Sequence, residues 1–182
     1  MIRAVAGEGA STLVENEKGE LRRLLLEAEG SERLWGEVLK GDGGVKGVLR
    51  IVPTRDTNMG HMRDGFVRMV GAGARREGCE SEEGFRGGLE AFKGVMGGGG
   101  VKKGRVLLLG RGERGELGAW VEGGEGEMRW IGGVGHERVG RYLWMGYVAG
   151  GDVATEGARS SVVDGVVELV ERPVGTVETQ VV

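Results

Sequence analysis

The densest run of side chains able to do chemistry lies between Arg50 and Arg68. It comprises Arg50, Arg55, Asp56, Thr57, His61, Arg63, Asp64 and Arg68. The arginines outnumber the aspartates, and a guanidinium can pair a planar carboxylate or polarise a carbonyl through donors fixed in one plane. The same spacing fits a plainer arrangement, a solvated helix face on which Asp56 or Asp64 caps and pairs, and spacing alone favours it. The two histidines, His61 and His136, lie far apart and have no carboxylates at ligand spacing, which argues against a structural zinc. Either could ligate a haem iron axially, since that needs one imidazole beside a hydrophobic slot. The competing reading is a partly exposed histidine at a helix start.

Two further motifs dissolve on inspection. Gly110-Arg111-Gly112-Glu113-Arg114-Gly115 matches the GxGxxG pattern and follows an apolar run, but a dinucleotide site needs a helix next, so that its N-terminus can hold the pyrophosphate. The strand-like Leu117-Gly118-Ala119-Trp120-Val121 follows instead, and the motif reads as a hairpin turn. His61-Met62-Arg63-Asp64 resembles a kinase catalytic loop without the glycine loop, lysine or DFG motif that such a loop requires. Cys79 sits between Gly78 and Glu80 in acidic surroundings that would not lower its pKa, and is expected to be an incidental thiol.

Apolar periodicity gives the elements that must position these residues. Residues 12–28 and 31–40 read as helices, the second with Ser31 as N-cap. Residues 45–54 read as a strand ending near Pro53. Helices are expected over 60–77, with Met62, Phe66, Met69, Val70 and Gly73 on the core face, and over 81–96, with Phe85, Leu89, Phe92 and Met96. Gly97 to Gly100 reads as a flexible joint. Strands over 105–109, 117–121 and 128–131, separated by glycine-rich turns, suggest an antiparallel meander. Helices over 136–149 and 155–170 follow, the latter carrying Val162, Val163, Val166 and Val170 on one arc. The tail 174–182 is expected to add an edge strand or lie over the core.

The chain has 182 residues, fitting one domain over its whole length, with 39% hydrophobic and 29% charged residues. The 40 glycines are exceptional, and each one inside a helix costs about 0.5–1 kcal/mol relative to alanine. A net charge of −3 gives no general polyanion-binding surface, so nucleic acid is not an expected partner. One cysteine excludes an internal disulfide. No apolar run approaches the ~20 residues of a membrane span, and the first residues form no recognisable targeting segment.

The stretch Leu49-Arg50-Ile51-Val52-Pro53-Thr54-Arg55-Asp56-Thr57, followed by His61-Met62-Arg63-Asp64-Gly65-Phe66-Val67-Arg68, resembles the fungal mitochondrial chalcone-isomerase-like proteins, the "altered inheritance of mitochondria" family. Glu156-Gly157-Ala158-Arg159-Ser160-Ser161-Val162-Val163-Asp164-Gly165 and Glu171-Arg172-Pro173-Val174-Gly175-Thr176-Val177 resemble it too. The resemblance implies an α+β open-faced sandwich, an antiparallel sheet against a layer of helices with a pocket between. It also implies a mitochondrial location and, for the fungal members, haem binding. True chalcone isomerases close a flavanone ring using an arginine on an N-terminal strand, a tyrosine-held water, an asparagine and a threonine. The family's N-terminal strands, with a Gly-x-Arg stretch, would precede residue 1. Thr57 falls near the place of the tyrosine, Asp64 near the asparagine and Met145 near the threonine. An ionised Asp64 would repel a phenolate by about 1 kcal/mol or more at contact.

Three readings follow. The first is a non-catalytic domain binding haem or another flat hydrophobic ligand, its pocket lined by Arg50, Arg55, Thr57, Asp64 and Met145 and its axial candidates His61 and His136. The second is an intramolecular lyase on a flavonoid-like enone, with Arg50 or Arg55 standing in for the missing arginine. The third is a truncated product with an incomplete pocket and an exposed sheet edge. Oligomeric state is not legible in the sequence.

Overall fold

Turn chemistry decides the sheet. Gly115 and Gly126 take φ of 82° and 85°, left-handed values that glycine adopts without a Cβ penalty. They close two hairpins on the expected sites, the first drawn in by Gly112 N–H donating to Glu116 O at 2.9 Å. The GxGxxG stretch is therefore a hairpin turn. The computed structural model describes residues 15–40 and 45–171. Its elements are α1 Glu15–Leu26, α2 Ala28–Val38, β1 Gly47–Ile51, β2 Thr57–Asn58, α3 Met59–Glu77, α4 Glu83–Val95, β3 Gly100–Val101, β4 Leu107–Arg111, β5 Leu117–Glu122, β6 Met128–Val134, α5 Glu137–Val148 and α6 Glu156–Glu171. The tail expected over 174–182 lies outside the described residues.

The chain divides into two compact units, Arg33–Gly146 and a second made of Met1–Glu32 with Tyr147–Val182. In the first, β1-β4-β5-β6 form an antiparallel sheet in that order. Its core-facing rows run Leu49–Leu109–Ala119–Gly132 and Ile51–Leu107–Val121, the second ending on the exposed Arg129, with Leu107 and Leu109 fully buried. The opposite face carries Val48 at 66% exposure and Trp130 at 53%, so the sheet is covered by helices on one side only. There Gly110, Gly118 and Gly133 stand in register across β4, β5 and β6. A Cβ on Gly118 would lie 2.6 Å from Trp120 and 2.7 Å from Trp130, so the glycines leave a trough for two indoles whose rings meet edge-on at 4.7 Å. This is the α+β architecture with one open face that the resemblance implies.

Glycine also sets the helix packing. A Cβ on Gly73 of α3 would stand 2.5 Å from Cγ of Tyr142 in α5, so the notch is what lets the tyrosine ring lie against the helix. The expected core face of α3 is partly corrected: Phe66, Val70 and Gly73 are buried with Met59 and Ala74, while Met62 and Met69 are half-buried. Asn58 caps α3, its Oδ1 accepting from His61 N–H at 2.7 Å.

In the second unit the helix expected over 12–28 ends at Leu26, and α2 begins at Ala28. A Cβ on Gly30 would meet the Leu24 carbonyl oxygen at 2.5 Å, so this tight succession of turns depends on glycine. Ser31 is consequently inside α2 rather than its N-cap; its Oγ donates to Ala28 O and accepts from Gly150 N–H, both at 3.0 Å. α1 and α6 are joined by Arg22 Nε to Asp164 at 2.9 Å. Of the valine arc expected on α6, Val163 is buried, whereas Val162 and Val170 are exposed.

Candidate functional site

The short pairing of β2 with β3 explains how a cavity forms. The segment read as a flexible joint is held: Gly99 takes φ of 100°, its carbonyl accepts from Met59 N–H at 2.9 Å, and Gly100 pairs with Asn58. Thr57 faces Val101 across this ladder. On the other side α4 closes on β6, where Val95 sits against Gly132, whose φ is 143°. Between these contacts lies a cavity of about 350 Å³. Met59, Val95, Val101, Val121 and Ile131 supply apolar side chains to its lining, and Gly94, Gly97, Gly98 and Gly99 supply backbone. Arg129 is the only charged residue among those that line it. Its size is at the lower end for small-molecule sites, and more of its lining surface is polar than apolar, since much of the wall is glycine backbone.

A bulge shapes this lining. Trp120 pairs with Trp130 and Ala119 with Gly132, so Ile131 is an extra residue on β6. Bulges re-aim side chains and are frequent beside binding sites. Here Arg129, Trp130 and Ile131 all reach the cavity wall in succession.

The first unit also holds a buried polar chain. Glu77 receives both Nη atoms of Arg141 at 2.9 Å and the Tyr142 hydroxyl at 2.7 Å. The Cys79 thiol lies 3.2 Å from the same hydroxyl, and Arg141 Nε faces Glu137 at 3.0 Å. Burial, then the Cys79 and Glu77 partners, push the Tyr142 pKa far upward. Arg111 is buried as well and donates to the carbonyls of Leu39 and Val45, tying the end of α2 to the entry of β1. These groups pair with one another or with carbonyls, although the buried Arg111 Nε, Arg141 Nε and Glu137 Oε1 make no hydrogen bond, and they border no described cavity. Cys79 is 2% exposed, a core thiol rather than a loop one.

The residues singled out from sequence are dispersed. Arg50 stands on the open face of the sheet, in register with Leu108, and Arg55 is exposed. Asp64 is exposed and pairs with its neighbour Arg63 at 2.9 Å, and Asp56 accepts from Lys103 N–H at 2.8 Å. The junction is therefore the solvated, paired surface that spacing favoured. Met145 is buried in α5, and Thr57 is half-buried beside the lining residue Val101. His61 is exposed in the first turn of α3. His136 is wedged against α4, edge-on to Phe85 at 5.9 Å, with no partner for its buried Nδ1. None of these residues lines the cavity. Sequence reasoning missed Arg129, which reads as one ordinary charge in a strand; it is exposed at the end of the Leu107–Val121 row, at the cavity wall.

With this geometry in hand, comparison with known proteins is informative. The family described as "Chalcone isomerase like" matches residues 3–163. The Altered inheritance of mitochondria protein 18, mitochondrial, of Debaryomyces hansenii is 31% identical over 156 residues, covering 84% of this chain and 51% of that protein. The chain thus spans about half the length of that curated relative. Among solved structures, an Arabidopsis thaliana fatty-acid binding protein superposes with a TM-score of 0.58 at 18% identity, over 85% of this chain and 76% of that one. At that identity the likeness speaks for the fold.

Proposed function

Because the chain belongs to the chalcone isomerase-like family, we propose that it is a non-catalytic, mitochondrial binding protein that takes a small hydrophobic ligand into the cavity between α4 and β6. The observation that carries this reading is the lining: Met59, Val95, Val101, Val121, Ile131 and Trp130 with backbone glycines and a single cation, without an acid–base pair to move a proton. The fatty-acid binding protein among its fold neighbours supports an apolar guest. Of the two arginines considered for polarising an enone, Arg50 is on the other face of the sheet from this cavity and Arg55 is exposed outside its lining. The test is displacement of an environment-sensitive fluorophore, 1-anilinonaphthalene-8-sulfonate, by decanol. Val121→Trp, which adds bulk at a half-buried lining position, should abolish the displacement; unchanged displacement would remove the cavity from consideration.

Haem is a second reading, favoured by one observation: His61 follows the lining residue Met59 by two positions and keeps an exposed imidazole. His136 is poorly suited to an axial role, because a Cβ on Gly88 of α4 would come within 2.5 Å of its side chain. A Soret band on hemin titration that is lost in His61→Ala and kept in His136→Ala is the expected outcome of this reading. An identical band in both variants would rule out ligation by His61.

A further inference from the structure

The side of the sheet that no helix covers leaves Val48, Met128 and Trp130 exposed together. Single apolar residues in water are ordinary, but neighbours on one rigid sheet form a contiguous patch, which marks an interaction surface. Two rows cross this face in register. Val48, Gly110, Gly118 and Gly133 make the first, and Arg50, Leu108, Trp120 and Trp130 the second. A Cβ on Gly110 would stand 3.0 Å from Trp120, and one on Gly133 would stand 3.1 Å from Trp130, so both indoles lean from their own row over the glycines.

Read from β1 to β6, the second row runs cation, aliphatic, indole, indole. At ~4.8 Å between strands, Arg50 and Trp130 stand about 14 Å apart, too far to meet within one chain. A second copy laid face to face reverses the row when the twofold axis runs along the strands between β4 and β5. Strand β1 of each copy then lies over β6 of the other, and β4 over β5. Val48 and Arg50 of one copy flank the Trp130 indole of the other, twice by symmetry, while Leu108 meets Trp120. A guanidinium over an indole is attractive, and more so as water leaves. A twofold axis across the strands, centred on the same row, would instead set Arg50 on Arg50, two like charges. The position of this one cation therefore selects the axis.

We propose that the open face is a homodimer interface, two sheets packed as an aligned sandwich with Arg50 of each copy seated on Trp130 of the other. Sheets packed in this way keep their strands within about 30° of each other, which preserves the crossings. Four strands of about five residues present a face of roughly 19 Å by 17 Å. That is at the small end of specific interfaces, so the dimer is weak and forms with rising concentration.

Sedimentation velocity from ~1 to ~200 μM tests this. The wild-type chain should pass from monomer to dimer within that range, with a Kd on the order of tens of micromolar. Arg50→Glu and Trp130→Lys each remove the cation–indole contact at both crossings, and each alone should weaken association about tenfold or more. Mixed in equal amounts, the two variants should associate again. In the mixed dimer one crossing sets the introduced carboxylate on the introduced ammonium, and the other keeps Arg50 on Trp130. Both substitutions are at exposed positions, and cooperative thermal melting checks that each variant is folded. A wild-type chain that stays monomeric throughout the range would overturn the interface, as would a dimer that neither variant weakens. A mixture no more associated than the separate variants would overturn the axis and with it the proposal.

Discussion

Gly73→Ala should destabilise the protein even though alanine is the better helix former. Position 73 lies within the 19-residue α3, where replacing glycine contributes about 0.5–1 kcal/mol in favour of the helix. Against this, the new methyl would sit 2.5, 2.7 and 2.8 Å from Cγ, Cβ and Cδ1 of Tyr142, well inside van der Waals contact. The ring cannot simply withdraw. Tyr142 is 1% exposed, its hydroxyl is held by Glu77 at 2.7 Å, Phe85 meets it edge-on at 5.9 Å, and the Arg141 guanidinium lies 5.1 Å from its centroid. Overpacking of this kind costs about 1–3 kcal/mol, and loss of the hydrogen bond to a charged carboxylate adds about 1.5–3 kcal/mol if the ring is pushed off. The net expectation is a loss of about 1–3 kcal/mol, or a fall in Tm of roughly 3–10 °C for a chain of this size. Gly87→Ala in α4 is the matched control, since its Cβ would meet nothing within 4 Å; it should stabilise by about 0.5–1 kcal/mol. Thermal unfolding followed by circular dichroism reads both. If the two alanine variants melt together, the notch carries no weight and the packing argument fails.

The polar chain gives two more predictions. Arg141→Met keeps the buried stem but leaves Glu77 and Glu137 without their cation; because Glu77 is 39% exposed, the loss should be about 2–3 kcal/mol rather than the full cost of a buried orphan charge. A double-mutant cycle with Glu77→Gln should show coupling of at least ~1 kcal/mol, and strict additivity would refute the pairing. The second concerns alkaline pH. Tyr142 and Tyr147 are the only tyrosines, and burial raises both pKa values. The unfolded chain therefore loses these protons near pH ~10 while the folded chain keeps them, so stability present below that pH declines as pH rises beyond it. Ultraviolet titration should show both tyrosines ionising only with unfolding. Tyrosinate absorbance appearing near pH ~10 in a chain that still melts cooperatively would contradict this.

The helices α3, α4 and α5 were legible because their apolar residues recur with helical period, and Phe66, Phe85 and Phe92 are buried as that period requires. The β4–β5–β6 meander was legible through its glycine turns. Its first strand was displaced, however: expected over 105–109, β4 runs Leu107–Arg111. The polar ends mislead here. Arg105 hooks the Gly123 and Gly124 carbonyls instead of extending the strand, while Arg111 is buried as the ladder partner of both Gly47 and Leu117. A buried arginine satisfied by distant carbonyls leaves no local mark in sequence. The β2–β3 pairing went unread for the opposite reason, since Gly97 to Gly100 carries no side chain that could announce a partner.

That same silence leaves the cavity between α4 and β6 without a mark in the sequence. The chemistry-bearing residues cluster at Arg50–Arg68, but they are exposed and pair with their neighbours, which is how charged side chains near a helix start satisfy themselves in water. The cavity wall is instead largely backbone, and its one cation, Arg129, is exposed on the strand that carries a single extra residue. With Trp130 and Gly133 on the open face and Arg129 and Val134 on the core face, the parity of β6 must change once between them, and Ile131 is where it does. Periodicity can report that a strand exists, yet only the register of both partners reports a change of parity. The arrangement that brings consecutive residues of β6 to the cavity wall is therefore a property of strand pairing, and Gly132, with its φ of 143°, is the position at which the backbone accommodates it.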